Sequence, residues 1–419
     1  MAADTRATVD AVWRIESPRI VAGLVRLVGD VGLAEDLAQD ALVVALEKWP
    51  ASGVPDNPGA WLMATARRRA IDHLRRGRML DRKHEELGGT LEARQRDALP
   101  ADEIVDAIDD PVGDDLLRLV FICCHPVLSR DARVALTLRL LGGLTTDEIA
   151  RAFLVPLPTM AQRITRAKRT LSEARVPYEV PRGEALHARL ASVLEVVYLV
   201  FNEGYSATAG DDLVRPALCD EALRLGRVLA GLAPGEPEVH GLVALMELQA
   251  SRLRARVGPD GLPVLLTEQD RARWDRLLIR RGLDALERAS AAGPLGPYAL
   301  QAAIAACHAR ARSVEETDWV RIAALYDAMA QVAPSPVVEL NRAVAVGMAF
   351  GPEAGLELVD GLTAVRELRG YHLVPAVRGD LLQKLGRGAE AAAEFERAAT
   401  MTRNERERAL LLRRAQACR

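Results

Sequence analysis

The stretch LTTDEIARAFLVPLPTMAQRITRAKRTL, residues 144–171, decides the fold that we predict for this chain. Thr145 and Glu148 have the spacing of a capping box at the start of a short helix. Residues 155–157 form a turn, and Pro158 favours the start of a second helix. That second helix carries one apolar stripe, made of Met160, Ile164, Ala167 and Leu171. The stretch therefore predicts a helix-turn-helix.

The second helix of this motif is cationic. Residues 151–175 contain six Lys or Arg residues and one acid, Glu173. A helix-turn-helix with a cationic second helix fits the major groove of DNA. The alternative is an ordinary helical hairpin with a solvated basic face.

A second basic helix lies upstream. Residues 49–59 read as a loop rich in Pro and Gly, in which Asn57 can cap a helix that begins at Pro58. Residues 67–83 contain eight Lys or Arg residues and two acids, and Trp61 stands near the start of the helix. Basic side chains can hold the phosphates of opened DNA, and an aromatic ring can contact an unstacked base. A solvated, Arg-rich helix remains the alternative.

The helix at residues 33–49 has an acidic side. We expect Leu33, Leu37, Ala41 and Val44 to be its buried stripe. The opposite face carries Asp36, Asp40, Val43 and Glu47, with Gln39 beside it. That face is either a solvated surface or a docking surface for a basic partner helix.

Composition predicts an almost all-helical protein. Hydrophobic residues make up 49% of the 419 residues and aromatic residues 4%, and strand-like alternation is scarce. The net charge of −3 does not indicate a nucleic-acid partner. Such a partner is indicated only by the local clusters of Lys and Arg residues. Five scattered cysteines favour a reducing compartment. We find no signal peptide and no apolar run long enough to span a membrane, so we expect a cytoplasmic protein.

Three motifs in this order resemble the extracytoplasmic-function (ECF) sigma factors of RNA polymerase, over about residues 10–175. They are AEDLAQDALVVALEKW, GAWLMATARRRAIDHLRR and the helix-turn-helix above. The resemblance implies that the first helix docks on the clamp of the polymerase β′ subunit. It implies that the second opens the −10 element and that the helix-turn-helix reads the −35 element.

The resemblance also implies the site residues. Contacts to core polymerase fall on Asp36, Gln39, Asp40, Val43 and Glu47. Contacts to the −10 element fall on Trp61, Arg67, Arg68, Asp72, Arg75 and Arg76. Contacts to the −35 element fall on Thr159, Gln162, Arg163, Arg166, Lys168 and Arg169. The chain has Ala161 where the family often has a basic residue, so one base contact is missing or is replaced by contact with a thymine methyl.

We expect five segments, namely residues 1–80 (sigma region 2), 81–113 (an acidic linker), 114–175 (sigma region 4), 185–290 (a helical extension) and 291–419 (repeats). The linker either is a solvated connector or threads the basic channel of polymerase. Cys123, Cys124 and His125 invite a metal-binding interpretation, but buried core cysteines fit the apolar helix better. Asn202, Glu203 and Tyr205 begin a polar loop, which is a surface loop or a ligand site.

The end of the chain resembles tetratricopeptide (TPR) repeats. The segment from Asn341 aligns with the segment from Arg378, each a helix, a Gly-containing turn and a second helix. Stacked helix pairs form a groove that binds a protein or a peptide, or they act as a purely structural cap.

The sequence thus predicts an all-α protein with two small sigma domains and a helical repeat domain. Its function would be promoter-specific transcription initiation, regulated by the C-terminal domain. The alternatives are a helix-turn-helix regulator that acts without polymerase and a helical-repeat adaptor. No catalytic or phosphate-binding motif is present, so we expect no enzyme activity and no cofactor or metal.

Overall fold

The structure, a computed structural model, describes residues 2–86, 112–153, 155–181, 183–206, 214–402 and 404–419. These residues form α-helices and short 3-10 turns, and no β-strand occurs among them. The all-α prediction is therefore confirmed. The chain divides into two compact units, residues 1–197 (the N-terminal unit) and residues 198–419 (the C-terminal unit).

The N-terminal unit contains a three-helix module followed by a helix-turn-helix module. The three-helix module consists of α1 (Ala2–Val28), α2 (Val31–Ser52) and α3 (Pro58–Glu86). The helix-turn-helix module consists of α4 (Val112–Cys123), α5 (Arg130–Leu140), α6 (Thr146–Ala152) and α7 (Leu157–Glu173). The next helix, α8 (Glu184–Tyr205), contains the boundary between the units.

The three-helix module differs from the prediction at the end of α2. The loop expected from residue 49 begins later, because α2 continues through Pro50 to Ser52. Trp49 is buried, and its ring meets that of Trp61 edge to face, with centroids 5.4 Å apart. The buried face of α2 is also rotated about the helix axis from the predicted stripe of Leu33, Leu37, Ala41 and Val44. It contains Val31, Ala34, Glu35, Leu37, Ala38, Ala41, Ala45 and Trp49.

The helix-turn-helix forms as its sequence predicts. Glu148 N–H donates to Thr145 Oγ1 at 3.2 Å, and Thr145 N–H donates to Glu148 Oε2 at 2.8 Å, so the capping box is made. Pro158 lies in the first turn of α7, which begins one residue earlier, at Leu157. All four stripe residues of α7 are buried, which fixes the side of α7 that faces the core.

The C-terminal unit is built from helices that mostly pack on their neighbours in the chain, although the second of them packs on the fourth as well as on the third. They are α9 (Pro216–Leu232), α10 (Pro237–Ala250), α11 (Arg276–Ala292), α12 (Pro297–Arg310), α13 (Trp319–Val332), α14 (Pro336–Phe350), α15 (Pro352–Leu362), α16 (Leu373–Lys384), α17 (Gly388–Met401) and α18 (Glu405–Ala417). Phe395 is fully buried in the core formed by the last five of these helices. The helix pairs have the expected order, and their relation to TPR repeats stays a prediction.

Two further expectations meet the structure only in part. Most of the expected linker, residues 87–111, lies outside the described residues, and α3 covers its first part up to Glu86. The prediction that a polar loop begins at Asn202 is wrong, because α8 continues to Tyr205. Residues 207–213 lie outside the described part of the chain.

The helix α8 also bears on the membrane expectation. Residues Ala185–Tyr205 are long and apolar enough to cross a membrane by length and composition alone. In the structure, 44% of that apolar stretch is buried inside the protein. Core helices of soluble proteins pass the same test, so this feature is weak evidence for a membrane span.

Candidate nucleic-acid interface

The side of α7 opposite its buried stripe is exposed and polar. Successive residues of a helix are 100° apart, so residues 159, 162, 163, 166 and 169 share one side of α7. Thr159, Gln162, Arg166 and Arg169 are exposed there, and Arg163 is half-buried. We call these five residues the α7 face. Ala161 is also exposed, but it lies about 140° from the centre of this face.

The three arginines of the α7 face differ in their partners. Arg163 Nη2 lies 3.3 Å from Asp131 Oδ2 at the start of α5. Arg169 Nε donates to Glu173 Oε1 at 2.6 Å, and this hydrogen bond raises the pKa of the guanidinium. Within the described residues, Arg166 has no carboxylate within 4 Å. Arg166 is therefore the cation of this face that is most available to an anionic ligand.

Lys168 was predicted to contact the −35 element together with these residues, but it lies on the other side of α7. It is about 160° from the centre of the α7 face, and its Nζ contacts Glu35 Oε2 in α2. Arg139 Nε in α5 lies 2.6 Å from Glu35 Oε1, and Gln39 Nε2 donates to the same oxygen at 2.7 Å. Glu35 is buried. We call Glu35, Arg139 and Lys168 the ionic cluster.

Other contacts join the helix-turn-helix module to the three-helix module. Asp115, buried in α4, lies 3.6 Å from Arg26 of α1. Tyr178 Oη lies 2.6 Å from Ala22 O of α1 and 2.9 Å from Asp115 O. Arg14 of α1 lies 2.8 Å from Glu148. The two modules are therefore packed against each other by buried polar contacts as well as by apolar ones.

The basic helix α3 exposes the predicted row of charges. Arg68, Asp72, Arg75 and Arg76 are exposed, and their spacing puts them on one side of the helix. Arg76 Nε donates to Asp72 O at 3.2 Å. Arg67 and Trp61 are half-buried. Trp61 thus contacts the ring of Trp49 and keeps part of its surface accessible to solvent.

The acidic side of α2 is exposed as well. Asp36, Asp40, Val43 and Glu47 follow the spacing i, i+4, i+7, i+11, and all four are exposed. Val43 is 51% exposed, so this side of α2 also presents an apolar side chain to solvent. Asp40 Oδ2 lies 3.0 Å from Arg69 Nη1 of α3, so it also joins two helices. Gln39 is the exception, because it hydrogen-bonds to Glu35.

The cysteines beside this interface are core residues. Cys123 and Cys124 are buried, and Cys124 Sγ lies 3.5 Å from Thr137 Oγ1. Burial raises the pKa of the Cys124 thiol to about 11, so a thiolate is disfavoured there. In the described part of the chain, no three His, Cys, Asp or Glu side chains converge as a metal site would require.

Known families match three parts of the chain. Residues 13–79 match sigma-70 region 2, residues 118–171 match sigma-70 region 4, and residues 189–290 match a family of unknown function, DUF6596. The two sigma regions fall on the three-helix module and on the helix-turn-helix module. No solved structure matches the chain.

Three relatives illustrate how far the likeness extends. An uncharacterized protein of Rhizobium meliloti is 45% identical over 396 residues, which are 94% of this chain and 92% of that protein. The ECF RNA polymerase sigma factor SigK of Mycobacterium ulcerans is 32% identical over 158 residues, 36% of this chain and 77% of SigK. The probable ECF RNA polymerase sigma factor SigI of Mycobacterium tuberculosis is 28% identical over 172 residues, 41% of this chain and 57% of SigI.

Proposed function

This chain belongs to the ECF family of RNA polymerase sigma factors, and we propose that it directs promoter-specific transcription initiation under the control of its own C-terminal unit. The observation that carries the proposal is the α7 face, an exposed basic side on the second helix of a helix-turn-helix. It occurs in one unit with the basic row of α3 and the acidic side of α2.

We propose that the α7 face reads the −35 element in the major groove. The exposed Arg166 and Gln162 suit base edges or phosphates, because arginine pairs with guanine and glutamine with adenine. Arg163 would exchange Asp131 for DNA. Arg169 and Thr159 flank these residues and would contact phosphates. Ala161 lies outside this face, so we propose that the base contact expected from the family at this position is missing.

The basic row of α3 would hold the −10 element. The positive charge that binds single-stranded phosphates would come from Arg67, Arg68, Arg75 and Arg76. Asp72 lies among these arginines and is also a proposed contact to the −10 element. Trp61 is half-buried beside these arginines, and its accessible part would contact an unstacked base. Unstacking costs a few kcal/mol per base, and binding energy would offset this cost without any chemical step.

The acidic side of α2 is the proposed contact with core polymerase. Asp36, Asp40 and Glu47 surround the exposed Val43, an arrangement of an apolar centre with a charged rim. Gln39 borders this surface. The partner would be the clamp of the β′ subunit, which is the docking site implied by the family.

Region 4 must leave region 2 for both promoter elements to be bound. The −35 and −10 elements are named for positions ~25 base pairs apart, which is roughly 85 Å at 3.4 Å per base pair. Lys168 of α7 instead contacts Glu35 of α2, next to α3. We therefore propose that the packed arrangement is the free form, and that polymerase and promoter DNA stabilise a separated one.

We propose that the C-terminal unit regulates these steps through a protein or peptide that binds its stacked helices. The whole chain would act in the cytoplasm, without a membrane and without enzyme activity. A transcription assay would determine whether this regulation activates or inhibits initiation.

The direct test uses purified core RNA polymerase and the full chain. A pull-down measures core binding, and runoff transcription from the promoter upstream of the chain's own gene measures specific initiation. Binding with a defined transcript supports the sigma function. Promoter binding without core binding favours a regulator that acts without polymerase, and the loss of both favours an adaptor.

A further inference from the structure

The C-terminal unit contains a cavity of about 260 Å³ that no sigma function uses. One wall is the segment 252–269, which lies within the DUF6596 match, and the other walls come from α16 and α18. The segment turns back at Gly261, whose φ of 76° is easy only for glycine. The cavity thus lies between a looped segment and the last helices of the chain.

The looped wall is fixed in place. Arg406 of α18 donates from Nη1 to Gly261 O at 2.6 Å. Arg413, also on α18, lies 2.9 Å from Asp260 Oδ2. Inside the segment, Gly258 N–H donates to Leu262 O at 2.9 Å. Val264 N–H also donates to Arg256 O at 2.8 Å, so the segment is held at its base as well as at its tip, and the cavity has a defined shape, as preformed ligand sites have.

Two arginines line the cavity without a carboxylate partner. Within the described residues, neither Arg252 nor Arg256 has a carboxylate oxygen within 4 Å. Each lies over an aromatic ring instead, Arg256 in direct stacking contact and Arg252 at cation–π distance. Arg256 Cζ lies 3.8 Å from the Tyr205 ring centroid, and Arg252 Cζ lies 5.8 Å from that of Trp274. Stacking fixes the plane of a guanidinium and leaves its hydrogen-bonding edge available.

A buried amide lines the same cavity. Gln269 is only 7% exposed, and its Nε2 donates to Val264 O at 3.1 Å. Its Oε1 accepts no hydrogen bond from any described residue. Arg256 Nε is likewise buried and without an acceptor there. A buried polar atom without a partner is costly, so these two atoms indicate a ligand that supplies one donor and one acceptor.

The remaining lining is largely apolar. It includes Leu265, Leu266, Leu373, Leu410 and Leu411. The volume equals that of roughly nine liquid water molecules. A compact molecule with an apolar body and a polar head therefore fits the walls better than a fully polar metabolite.

We propose that this cavity binds a small amphipathic carboxylic acid. Its carboxylate would pair with Arg252 and Arg256, a hydroxyl or amide near the head would donate to Gln269 Oε1, and its apolar body would contact the leucines. Glu407 also lines the cavity, where Thr402 Oγ1 donates to it at 2.8 Å. Its negative charge, which interacts with Arg256, disfavours a dianion such as a phosphate monoester more strongly than a monoanion.

Calorimetric titration of the full chain with octanoate tests this site and needs neither polymerase nor DNA, so its result is independent of the sigma proposal. Octanoate should bind, and Arg252→Met and Arg256→Met should each weaken binding about tenfold or more. Arg254→Met is the matched control, because Arg254 is an exposed arginine of the same segment that does not line the cavity. It should change binding less than about twofold.

Two further ligands test the head group and the amide. Octylamine has the same apolar body and the opposite charge, and it should not bind. 3-Hydroxyoctanoate should bind about fivefold more tightly than octanoate, and Gln269→Met should abolish that preference. Far-ultraviolet circular dichroism checks that each variant is folded, and if one arginine variant unfolds, the other gives the result.

Three outcomes would overturn the proposal. The first is that hexanoate, octanoate and decanoate all fail to bind the full chain at ~1 mM. The second is that octylamine binds as tightly as octanoate. The third is that the folded arginine variants bind octanoate like the original chain.

Discussion

Arg139 Nε, in region 4, lies 2.6 Å from Oε1 of Glu35, in region 2, and the Glu35 side chain is only 4% exposed. Lys168 of α7 contacts the other oxygen of the same carboxylate. A buried charge that loses its partners is strongly destabilising, so this cluster holds the two regions together more firmly than a surface ion pair would.

Replacement of Glu35 by Gln should loosen the contact between the regions. The change keeps the shape of the side chain and leaves Arg139 and Lys168 without their carboxylate. We expect the free energy of unfolding of the full chain to fall by roughly 3 kcal/mol. Because α7 is released, promoter DNA should also bind more tightly in the absence of polymerase. Urea denaturation and a DNA-binding titration measure the two effects.

The control for this variant is Asp36→Asn, which removes a charge from the next residue, on the exposed side of α2. It should leave the unfolding midpoint unchanged. If Glu35→Gln leaves both the midpoint and the DNA affinity unchanged, the ionic cluster does not restrain region 4.

Replacement of Arg166 by Ala should lower transcription from the cognate promoter. If Arg166 contacts a base, the loss is about 1–3 kcal/mol and specificity relaxes at one position. If it contacts a phosphate, all sequences weaken together and the salt slope falls by about 1. Runoff transcription and binding at two salt concentrations distinguish these cases. Arg280→Ala, an exposed arginine of α11, is the control, and equal output from both variants would remove Arg166 from the interface.

The sequence predicted the parts of the site that local patterns determine. The capping box of Thr145 and Glu148 and the buried stripe of α7 follow from spacing within one helix, and the structure contains both. The exposed row at Asp36, Asp40, Val43 and Glu47 follows in the same way. Their functional roles stay predictions.

The sequence could show that Lys168 lies off the α7 face, but not which residue it meets there. Lys168 was grouped with the α7 face, yet its position is defined by Glu35, which is 133 residues earlier in the chain. The helical angle of Lys168 was the available signal. Arg256 and Gln269 gave no signal at all, because the cavity exists only where the looped segment meets α18.

His308 should make the C-terminal unit less stable in mild acid. Burial, with Arg252 and Arg271 nearby, lowers its pKa from the usual 6.5 to about 4. Between these values the unfolded chain binds a proton that the folded chain does not. The stability contribution of the neutral imidazole is therefore complete above about pH 6.5 and is lost as the pH falls toward 4.

The expected loss at pH 4.5 is roughly 2 kcal/mol. His308→Phe cannot titrate and keeps a ring against Trp319, whose centroid lies 5.1 Å from that of His308. Urea denaturation of both chains from pH 7.5 to 4.5 isolates the contribution of His308. Parallel pH profiles would show that His308 titrates normally in the folded chain.

The N-terminal unit extends beyond the end of region 4. A truncated chain must therefore include residues after region 4 if its N-terminal unit is to keep its stability. Arg189 Nη2 donates to Phe121 O at 2.7 Å, and Ser192 Oγ donates to Cys124 O at 2.8 Å. A chain that ends at Arg182 lacks both donors and leaves these two carbonyls, one in the last turn of α4 and one just after it, without them. We expect it to melt about 5–10 °C below a chain that ends at Val197.

The longer truncated chain is then the proper test of regulation. If the C-terminal unit controls initiation, the output of residues 1–197 in runoff transcription should differ from that of the full chain by about fivefold or more, the size of a typical coupling between sites. The sign of the difference identifies the C-terminal unit as an activator or an inhibitor. Equal output from two folded chains at equal core binding would mean that this unit does not regulate initiation, because a regulator must favour one state of region 4 over another.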